Sequence, residues 1–450
     1  MRRAQAQPGE RVAGAPSDRP QRSSRTVIDQ RSRLLASILT VVSRCGYAGA
    51  KVGDIAARAN VSRSTFYELF DDKQQCFIAA HSQLAGRVIK RFEDALARAE
   101  ASEATGAALT LIASLAEQQP AVLTLLTHEA LLAGPPARQR YEQLMARLGD
   151  AVQARMWRAA AGSELPVVPS PMLLGGAARL YCMQIRREGG ASAQTLPALL
   201  RWVDSYRGAP DAYPWLSAQQ PGALRAIAPA RPFSPRVLPR GRHRLPRDTV
   251  DAIQRERIAH ATALAVMRRD GTDVAVADIV AAAGVSREVF YAHFADKQDA
   301  FLATQRLIFE QLIAVASSAY FVPDRSWPER LWDAAASSAG MLAANPAFAH
   351  FAFVAAYGIG EIGVRRVDEA LLAFGLFLED GYRLPPGASS PPRVTSEAIA
   401  LGAMEAAARQ VRDGRTFELP ALVPVVVFTS LAPFIGCGAA GVAVEQQLAA

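Results

Sequence analysis

One stretch of the chain reads VGDIAARANVSRSTFYELFDDKQQCFIAA, residues 52–80, and it returns 224 positions later as VADIVAAAGVSREVFYAHFADKQDAFLAT, residues 276–304. The two copies align without a gap, and sixteen of their 29 positions are identical. Chance does not produce such a match between unrelated segments, so the chain is a tandem duplication. A weaker match at an offset of 226, between residues 119–140 and 345–366, extends the duplication into a second part of each unit.

Both units have helical periodicity. In residues 27–46 the apolar side chains recur every three or four positions, as on one face of an amphipathic helix. No stretch alternates convincingly between apolar and polar residues, the pattern of a half-buried strand. The sequence therefore predicts an all-α fold in two tandem units, and its 450 residues suffice for two or more domains.

The repeated block has the local signals of a helix-turn-helix. Asn60 and Gly284 are residue types that tolerate a positive φ and end a helix. Ser62 and Ser286, two positions later, are good N-caps for a second helix. Two short helices joined by such a turn, with Val61 filling the angle between them, place the second helix to enter a DNA major groove. A plain helical hairpin is the alternative.

The spacing within the second helix separates a buried face from an exposed one. Phe66 and Phe70 lie four residues apart and are expected to face the core, whereas Tyr67 lies on another face, free to reach a phosphate. The predicted DNA contacts are Arg63, Ser64, Thr65, Tyr67 and Lys73 in unit one, and Arg287, Glu288, Val289, Tyr291, His293 and Lys297 in unit two. His293 is expected to be exposed where unit one has Leu69.

The motifs VSRSTFYELFDDKQQ and VSREVFYAHFADKQD resemble the TetR/AcrR family of regulators, in which a Gly-Val-Ser turn precedes a Tyr-x-x-Phe helix and a lysine. The resemblance is strong over residues 27–90 and 250–308 and weaker in the later part of each unit. It implies a helical repressor whose second domain binds an effector and forms a dimer. It also assigns the DNA-contact roles to the positions just named.

Four positions depart from the family pattern. Lys51 and Ala275 stand where the family usually has a Ser or Thr cap, whose loss costs about 1 kcal/mol. Unit two also shifts its glycine by one residue, to Gly271, and has Glu288 where a small residue is usual. Phosphates repel a carboxylate, although it can accept from cytosine N4. The helix-turn-helix of unit two is therefore expected to read DNA weakly or with a different sequence preference.

The resemblance and the composition together predict six segments. We call the two helix-turn-helix domains head one and head two. In chain order the segments are a disordered basic arm (1–25), head one (26–90), a helical ligand-binding and dimerisation domain (91–207), a Pro/Arg-rich linker (208–247), head two (248–308) and a second helical ligand-binding and dimerisation domain (309–450).

The positive charge is concentrated outside the folded units. The chain has a net charge of +8, with 50 basic and 42 acidic residues. Residues 1–25 hold six Arg and two acids, and residues 225–247 hold seven Arg and no acid, so everything else carries −3. Both basic segments precede a head, where they are placed to follow a DNA backbone or minor groove. A solubilising Arg-rich linker is an equally good interpretation.

The sequence offers no catalytic or metal-binding pattern. The cysteines are isolated, and no phosphate-binding glycine loop, His-Glu-x-x-His or nucleophile elbow occurs. The N-terminus lacks the apolar core of a secretory signal. We predict a cytoplasmic protein with reduced thiols, no cofactor, no metal and no enzymatic activity.

Residues 419–444 carry no charge and are long enough to span a bilayer. The matching element of unit one, residues 196–210, carries Arg201, Asp204 and Arg207, so the same helix is amphipathic there. We therefore expect a helix buried against the terminal helices of unit one, with no membrane contact. The uncharged run 334–360 is expected to form core and pocket wall.

These observations lead to two functional hypotheses. The first is a repressor that binds an operator in double-stranded DNA through two heads of one chain and is released by a small apolar effector. Such a chain acts as an intramolecular pseudo-dimer or as a homodimer. In the second, only unit one reads DNA, and unit two serves as its dimerisation partner. The sequence names neither the effector nor the operator.

Overall fold

In the computed structural model the chain is helical in both units. The structure describes residues 24–159, 164–209, 212–217, 232–236, 238, 244–269, 273–384 and 391–449. The predicted basic arm up to residue 23, most of the predicted linker and Gly271 lie outside the described residues. Within the described ranges, strand structure is confined to one pair of two-residue segments, so the predicted all-α fold is confirmed.

Unit one begins with four helices of the head and continues with the larger helical part. The helices are α1 (Ser24–Gly49), α2 (Val52–Arg58), α3 (Arg63–Leu69), α4 (Lys73–Arg98), α5 (Ala104–Gln118), α6 (Pro120–Leu126), α7 (His128–Leu132), α8 (Pro135–Met156), α9 (Ser170–Glu188) and α10 (Thr195–Asp204). A 3₁₀ turn, Ala101–Glu103, precedes α5. Strand β1 (Leu165–Pro166) pairs antiparallel with β2 (Arg207–Gly208), which closes the end of this unit.

Unit two repeats this order after a short helix in the linker, α11 (Pro214–Ser217). Its helices are α12 (Arg247–Arg269), α13 (Val276–Ala283), α14 (Arg287–His293), α15 (Lys297–Tyr320), α16 (Trp327–Ala344), α17 (Pro346–Phe353), α18 (Glu361–Gly375), α19 (Val394–Arg412) and α20 (Val423–Ala449). In the described part of this unit, four 3₁₀ segments connect them: Ala355–Ile359, Leu376–Leu378, Gly381–Arg383 and Thr416–Leu422.

Long helices join each head to its larger domain. In unit one this helix is α4, whose N-cap Asp72 accepts the backbone N–H of Gln75. Its buried residues Phe77, Leu84 and Val88 follow helical spacing and face the core. The predicted boundaries at 90/91 and 308/309 fall inside α4 and α15. Each head is therefore continuous with its larger domain through one helix.

Helices α9 and α19 form the most extensive contact between the units. Gly176 and Gly402 lie at their crossing, and a Cβ on Gly176 would come within 2.9 Å of the Ala398 carbonyl oxygen. The two backbones approach this closely because neither glycine has a side chain. Beside them Arg179 of unit one and Glu405 of unit two form an ion pair at 2.9 Å, with 7% and 9% of their side chains exposed. Either charge alone would be costly to bury, so the pair favours one register of the two helices.

A second polar contact joins unit one to the N-terminus of α18. The Glu361 carboxylate accepts from Arg186 at 2.6 Å and lies 3.0 Å from His128 Nε2. The hydrogen bond from His128, followed by those from Arg186, lowers the pKa of Glu361 to about 2. Next to His128, Glu129 accepts the backbone N–H of Tyr47 at 2.7 Å. This contact therefore connects unit two with the end of α1 in head one.

Described parts of the predicted linker lie against unit two. The rings of Tyr213 and Trp215 pack on Phe428 of α20, with centroid distances of 5.0 and 5.4 Å. Further along, the backbone N–H of Phe233 donates to Asn345 Oδ1 at 2.6 Å. These residues of the Pro/Arg-rich linker are therefore docked on the folded unit.

The uncharged C-terminal segment forms a core helix. Among the described residues, Thr416–Ala449 is long and apolar enough to cross a membrane, as are Ala101–Gln118 and Pro120–Leu132 if taken as one span bent by 114°. Within Thr416–Ala449, 67% of the most apolar stretch is buried inside the protein. Helix α20 packs mainly on α16 of its own unit. It also touches unit one, because the hydroxyl of Tyr206 donates to the Thr429 carbonyl oxygen at 2.7 Å.

Candidate nucleic-acid interface

The turn of head one has the predicted local structure. Asn60 adopts a φ of 53°, the left-handed conformation that stops α2. The hydroxyl oxygen of Ser62 then accepts the backbone N–H of Thr65 at 3.0 Å, which caps α3. Phe66 and Phe70 anchor α3 in the core with 0% and 3% of their surface exposed. The opposite face of α3 is consequently turned to solvent.

Head two reaches the same geometry with different residues. Gly284 takes the left-handed conformation at φ 62° and ψ 41°. The hydroxyl oxygen of Ser286 accepts the backbone N–H of Val289 at 3.2 Å, and Phe290 and Phe294 are buried. Both predicted helix-turn-helix motifs are therefore present, with α3 and α14 as their second helices.

The exposed face of α3 gathers three of the predicted contact residues. Arg63 and Ser64 are exposed in the first turn. Tyr67 is 57% exposed and its ring stands edge-on to buried Phe66, at a centroid distance of 5.4 Å. The Arg63 guanidinium lies over Gly53 of α2, where a side chain would collide with it. A cation, a hydroxyl and a phenol thus share one surface at a helix N-terminus, which suits phosphate and base edges.

Thr65 lies on the other side of this helix. Only 3% of its surface is exposed, and its hydroxyl is 2.9 Å from that of Ser62. The expectation that Thr65 reaches DNA needs correction, because its side chain is part of the capped turn. The sequence placed it in the first turn correctly but not on the outward face.

Lys73 is bound to the end of α1. Its ammonium donates to the carbonyl oxygens of Tyr47 and Ala50 at 2.7 and 3.0 Å, and lies 4.1 Å from the centroid of the Tyr47 ring. Burial lowers the pKa of this ammonium. An ammonium has three protons, so these two bonds leave one for the predicted phosphate contact.

The outward face of α14 differs in charge. Arg287, Glu288 and Tyr291 are exposed, with Tyr291 at 55%. Val289 is half-buried and packs against the core of unit two. Lys297 is also half-buried, with its nitrogen 5.8 Å from the centroid of the Phe301 ring. A carboxylate therefore stands in the first turn, where α3 presents the hydroxyl of Ser64.

His293 is not exposed, contrary to expectation. Only 8% of its side chain is accessible. Its Nε2 forms a hydrogen bond with Gln254 Oε1 of α12 at 2.7 Å and lies 4.0 Å from Asp251. The ring packs sideways onto the first helix of head two, so His293 supports α14 rather than extending toward DNA.

Sequence reasoning missed an arginine that each first helix contributes. Arg31 lies over the ring of Phe70 at 5.3 Å, and Arg255, 224 positions later, lies over Phe294 at 4.8 Å. Arg255 also donates to the carbonyl oxygen of His293 at 2.7 Å, which stabilises the C-terminus of α14. The repeat offset was the available signal, because it extends beyond the 29-residue block to these two positions.

The departures at the caps of α2 and α13 have different consequences. Lys51 makes no side-chain cap bond to α2. Ala275 has no acceptor either, but its backbone N–H donates to Asp278 Oδ2 at 3.2 Å. Half of a capping box thus remains at α13.

An apolar cavity of about 220 Å³ lies in the larger domain of unit two. Among the described residues, no charged side chain lines its wall, and Ser338 and Ser430 are the polar residues there. The Ser430 hydroxyl is already bonded to the Val426 carbonyl oxygen at 2.8 Å. Helices α15 and α19 both contribute, so the cavity touches the helix that leads to head two and the helix that contacts α9. The predicted core run 334–360 supplies part of this wall.

The described residues contain no group of three His, Cys, Asp or Glu side chains placed to hold a metal ion. All four cysteines are free thiols. Burial raises the pKa of Cys76 to about 12 and that of Cys182 to about 11, so both are protonated at neutral pH. In the part of the chain that the structure describes, neither a metal site nor a reactive thiol therefore competes with the outward faces of α3 and α14 as the candidate functional surface.

Comparison with known protein families identifies the two segments that contain the helix-turn-helix motifs. The family model for bacterial regulatory proteins of the tetR family matches residues 34–80 and 260–304. Similar solved structures include FadR from Bacillus subtilis in complex with stearoyl-CoA, with 18% identity over 37% of this chain and 96% of that chain and a TM-score of 0.32. A TetR-family regulator from Marinobacter aquaeolei VT8 has 23% identity over 40% and 96%, with a TM-score of 0.32. A search of curated proteins found no match.

Proposed function

Because the chain is a tandem regulator of the TetR family, we propose that it occupies a DNA operator with both heads of a single chain and thereby represses transcription. The observation that carries this proposal is the packing of α9 on α19. It joins two units within one polypeptide, and each unit has an exposed recognition helix. Recognition helices of paired heads commonly enter the major groove about 34–36 Å apart, one turn of DNA. A pseudo-dimer of this kind needs no second chain.

The two heads of such a pseudo-dimer should read unlike half-sites. Unit one offers Arg63, Ser64 and Tyr67, whereas unit two offers Arg287 and Glu288 beside its tyrosine. A carboxylate accepts from cytosine N4 and disfavours approach to phosphate, so it changes the preferred base as well as the affinity. The operator we expect is therefore asymmetric.

We propose that an uncharged apolar molecule in the cavity of unit two releases the operator. Polar effectors fit poorly, because the polar side chains that line the described part of the cavity are Ser338 and Ser430 alone. A ligand shifts the protein only by its difference in affinity for two states, typically 1–3 kcal/mol of coupling. Helix α15 is placed to carry that shift to head two, and α19 to carry it across the contact with α9.

A second candidate function is a sensor in which unit one alone reads DNA. The half-burial of Val289, the bond from His293 to Gln254 and the acidic Glu288 favour it, because they leave head two with few free donors. Replacing Tyr291 and Lys297 by Ala would then leave DNA affinity unchanged. Under the first proposal both replacements weaken binding.

Selection of binding sites from random DNA distinguishes the candidates. The pseudo-dimer predicts two unlike half-sites spaced by one helical turn, with one half lost from the selected sequence in the Tyr291→Ala variant. The sensor predicts a single half-site that this variant does not alter. Recovery of a perfect palindrome bound by two chains would overturn the first proposal.

We further propose a cytoplasmic location without membrane contact, supported by the burial of α20. Regulators of this family are generally not enzymes, and we assign this chain no catalytic activity and no cofactor. We also propose the DNA contacts and the domain boundaries given above. Thr65 and His293 are exceptions, because they support the structure of the heads and do not face DNA. The basic arm is a further proposal that lies outside the described residues.

A further inference from the structure

A polar cleft of about 330 Å³ lies where the two units meet. Helix α8 of unit one forms one side of it, and the C-terminal half of α19 from unit two forms the other. It shares no lining residue with the apolar cavity. Nothing in the DNA-binding function proposed above uses this cleft.

The acidic side chains that line the cleft are neutralised. Each carboxylate has an arginine partner within ion-pair distance, and two of the pairs cross from one unit to the other. The pairs are Glu142 with Arg412 (2.7 Å), Glu405 with Arg179 (2.9 Å) and Asp413 with Arg415 (3.0 Å).

Arg409 is a further arginine of the cleft that takes part in none of these ion pairs. It lines the cleft from α19, is half-buried, and has no ion-pair partner among the residues that the structure describes. Among the described residues, the Arg409 guanidinium is therefore the charge of this wall that no opposite charge neutralises. A guanidinium offers two parallel N–H donors, a geometry that matches carboxylate and phosphate oxygens.

Tyr141 supplies a donor from the opposite side. It lines the cleft from α8 with 1% of its surface exposed, and its hydroxyl has no hydrogen-bond partner among the described residues. Burial, with a further contribution from Glu405, raises the pKa of this hydroxyl well above its usual value. It stays protonated at physiological pH and is available to an acceptor, whereas buried hydroxyls in proteins are nearly always bonded.

We propose that this inter-unit cleft binds a small oxyanion, a carboxylate or a phosphate, between the Arg409 guanidinium and the Tyr141 hydroxyl. Gln139 and Gln143 add amide groups to the wall. Since Arg409 belongs to unit two and Tyr141 to unit one, the bound anion joins α19 to α8. It stabilises the packed arrangement of the units, and an anionic metabolite of this class acts as a second ligand of the chain.

Calorimetric titration of the full-length chain tests the proposal, with citrate and inorganic phosphate as separate probes in chloride buffer of matched ionic strength. We expect saturable binding of at least one anion at one site per chain, and a rise in the unfolding temperature. Citrate alone indicates a carboxylate ligand, and phosphate alone a phosphate ligand. Arg409→Gln and Tyr141→Phe should each weaken binding about tenfold, as expected for the loss of one charge-assisted hydrogen bond.

Arg201→Gln is the matched control, because Arg201 is exposed on α10 and does not line the cleft. It should bind both anions like the unaltered chain. The proposal is overturned if neither anion binds saturably, or if Arg409→Gln binds as tightly as the control. Arg409 is only half-buried, so this variant decides the matter even if Tyr141→Phe fails to fold. No DNA is present, so the outcome does not depend on the proposed operator binding.

Discussion

Head one and head two have the same framework and different outward faces. The elements that build the turn are retained in both: a residue with positive φ, a serine cap and two buried phenylalanines. The differences lie on and beside the second helix, where Ser64, Thr65 and Leu69 of head one correspond to Glu288, Val289 and His293 of head two. Duplication thus left the fold of the head intact while its readable surface diverged.

Lys73 and Lys297 occupy matching positions of the two heads but have different aromatic neighbours. Lys73 is held by the carbonyls at the end of α1 and by the ring of Tyr47. The residue 224 positions after Tyr47 is Gly271, which has no ring, and Lys297 lies near Phe301 instead. Identical lysines in matching sequence blocks therefore have different aromatic neighbours.

The largest expected effect concerns the contact that holds the heads as a pair. Arg179→Ala leaves Glu405 buried without a partner, and we expect a loss of about 3–5 kcal/mol in the free energy of unfolding. Urea denaturation measures it. The control is Arg147→Ala, whose pair with Glu93 is 62% and 51% exposed and should cost about 0–1 kcal/mol. Equal, small losses in both variants would contradict a tight contact between the units.

A second experiment compares the two tyrosines. Tyr67→Ala and Tyr291→Ala should each weaken operator binding by about 1–3 kcal/mol if both heads read DNA. Fluorescence anisotropy on the selected operator measures the affinity. Trp157→Ala is the control, since Trp157 is 79% exposed and lies outside both heads. An effect confined to Tyr67 would favour the single-head sensor.

The lysines give a third comparison. Lys73→Met removes a cation from the C-terminus of α1 and should destabilise the chain by about 1–2 kcal/mol. Lys297→Met should cost clearly less, because its nitrogen lies farther from its aromatic neighbour. Thermal unfolding of the two variants is the measurement, and equal losses would show that the two lysines have the same role.

The smallest effect is expected from the carboxylate of Glu288, which is present on α14 and absent from the matching position of α3. Glu288→Ser gives head two the residue of head one, and removing one carboxylate near phosphate should strengthen DNA binding by about 1 kcal/mol at low salt. Ser64→Glu should weaken it by a similar amount. Both effects should shrink as salt rises, because exposed charges are screened. An unchanged affinity in both variants would place the first turns away from the DNA.

Local signals made the heads predictable from sequence. Asn60, Gly284, Ser62 and Ser286 act through their own backbone and the next turn, so residue type and spacing suffice to place them. Thr65 was misjudged because its side chain turns back into the capped turn beside Ser62, and His293 because its orientation depends on packing against the first helix of head two. His293 is held by Gln254, 39 residues earlier in the chain.

The contact between the units and the polar cleft were not predictable in this way, whereas the uncharged run 334–360 did indicate part of the wall of the apolar cavity. The close approach at Gly176 and Gly402 depends on residues 226 positions apart, and glycines in a helix give no local sign of a partner. The hydrogen bond from Phe233 to Asn345 likewise joins residues 112 positions apart. These contacts depend on packing between residues far apart in the chain, which the local pattern of a single sequence does not indicate.

The central claim is that one chain presents two unequal heads to one operator. Native mass spectrometry of the complex between the full-length chain and its selected operator tests this most directly. We predict one chain per DNA duplex on a sequence with two unlike half-sites, and a loss of contact with one half-site in Tyr291→Ala. Two chains on a palindrome, with Tyr291→Ala without effect, would contradict the account.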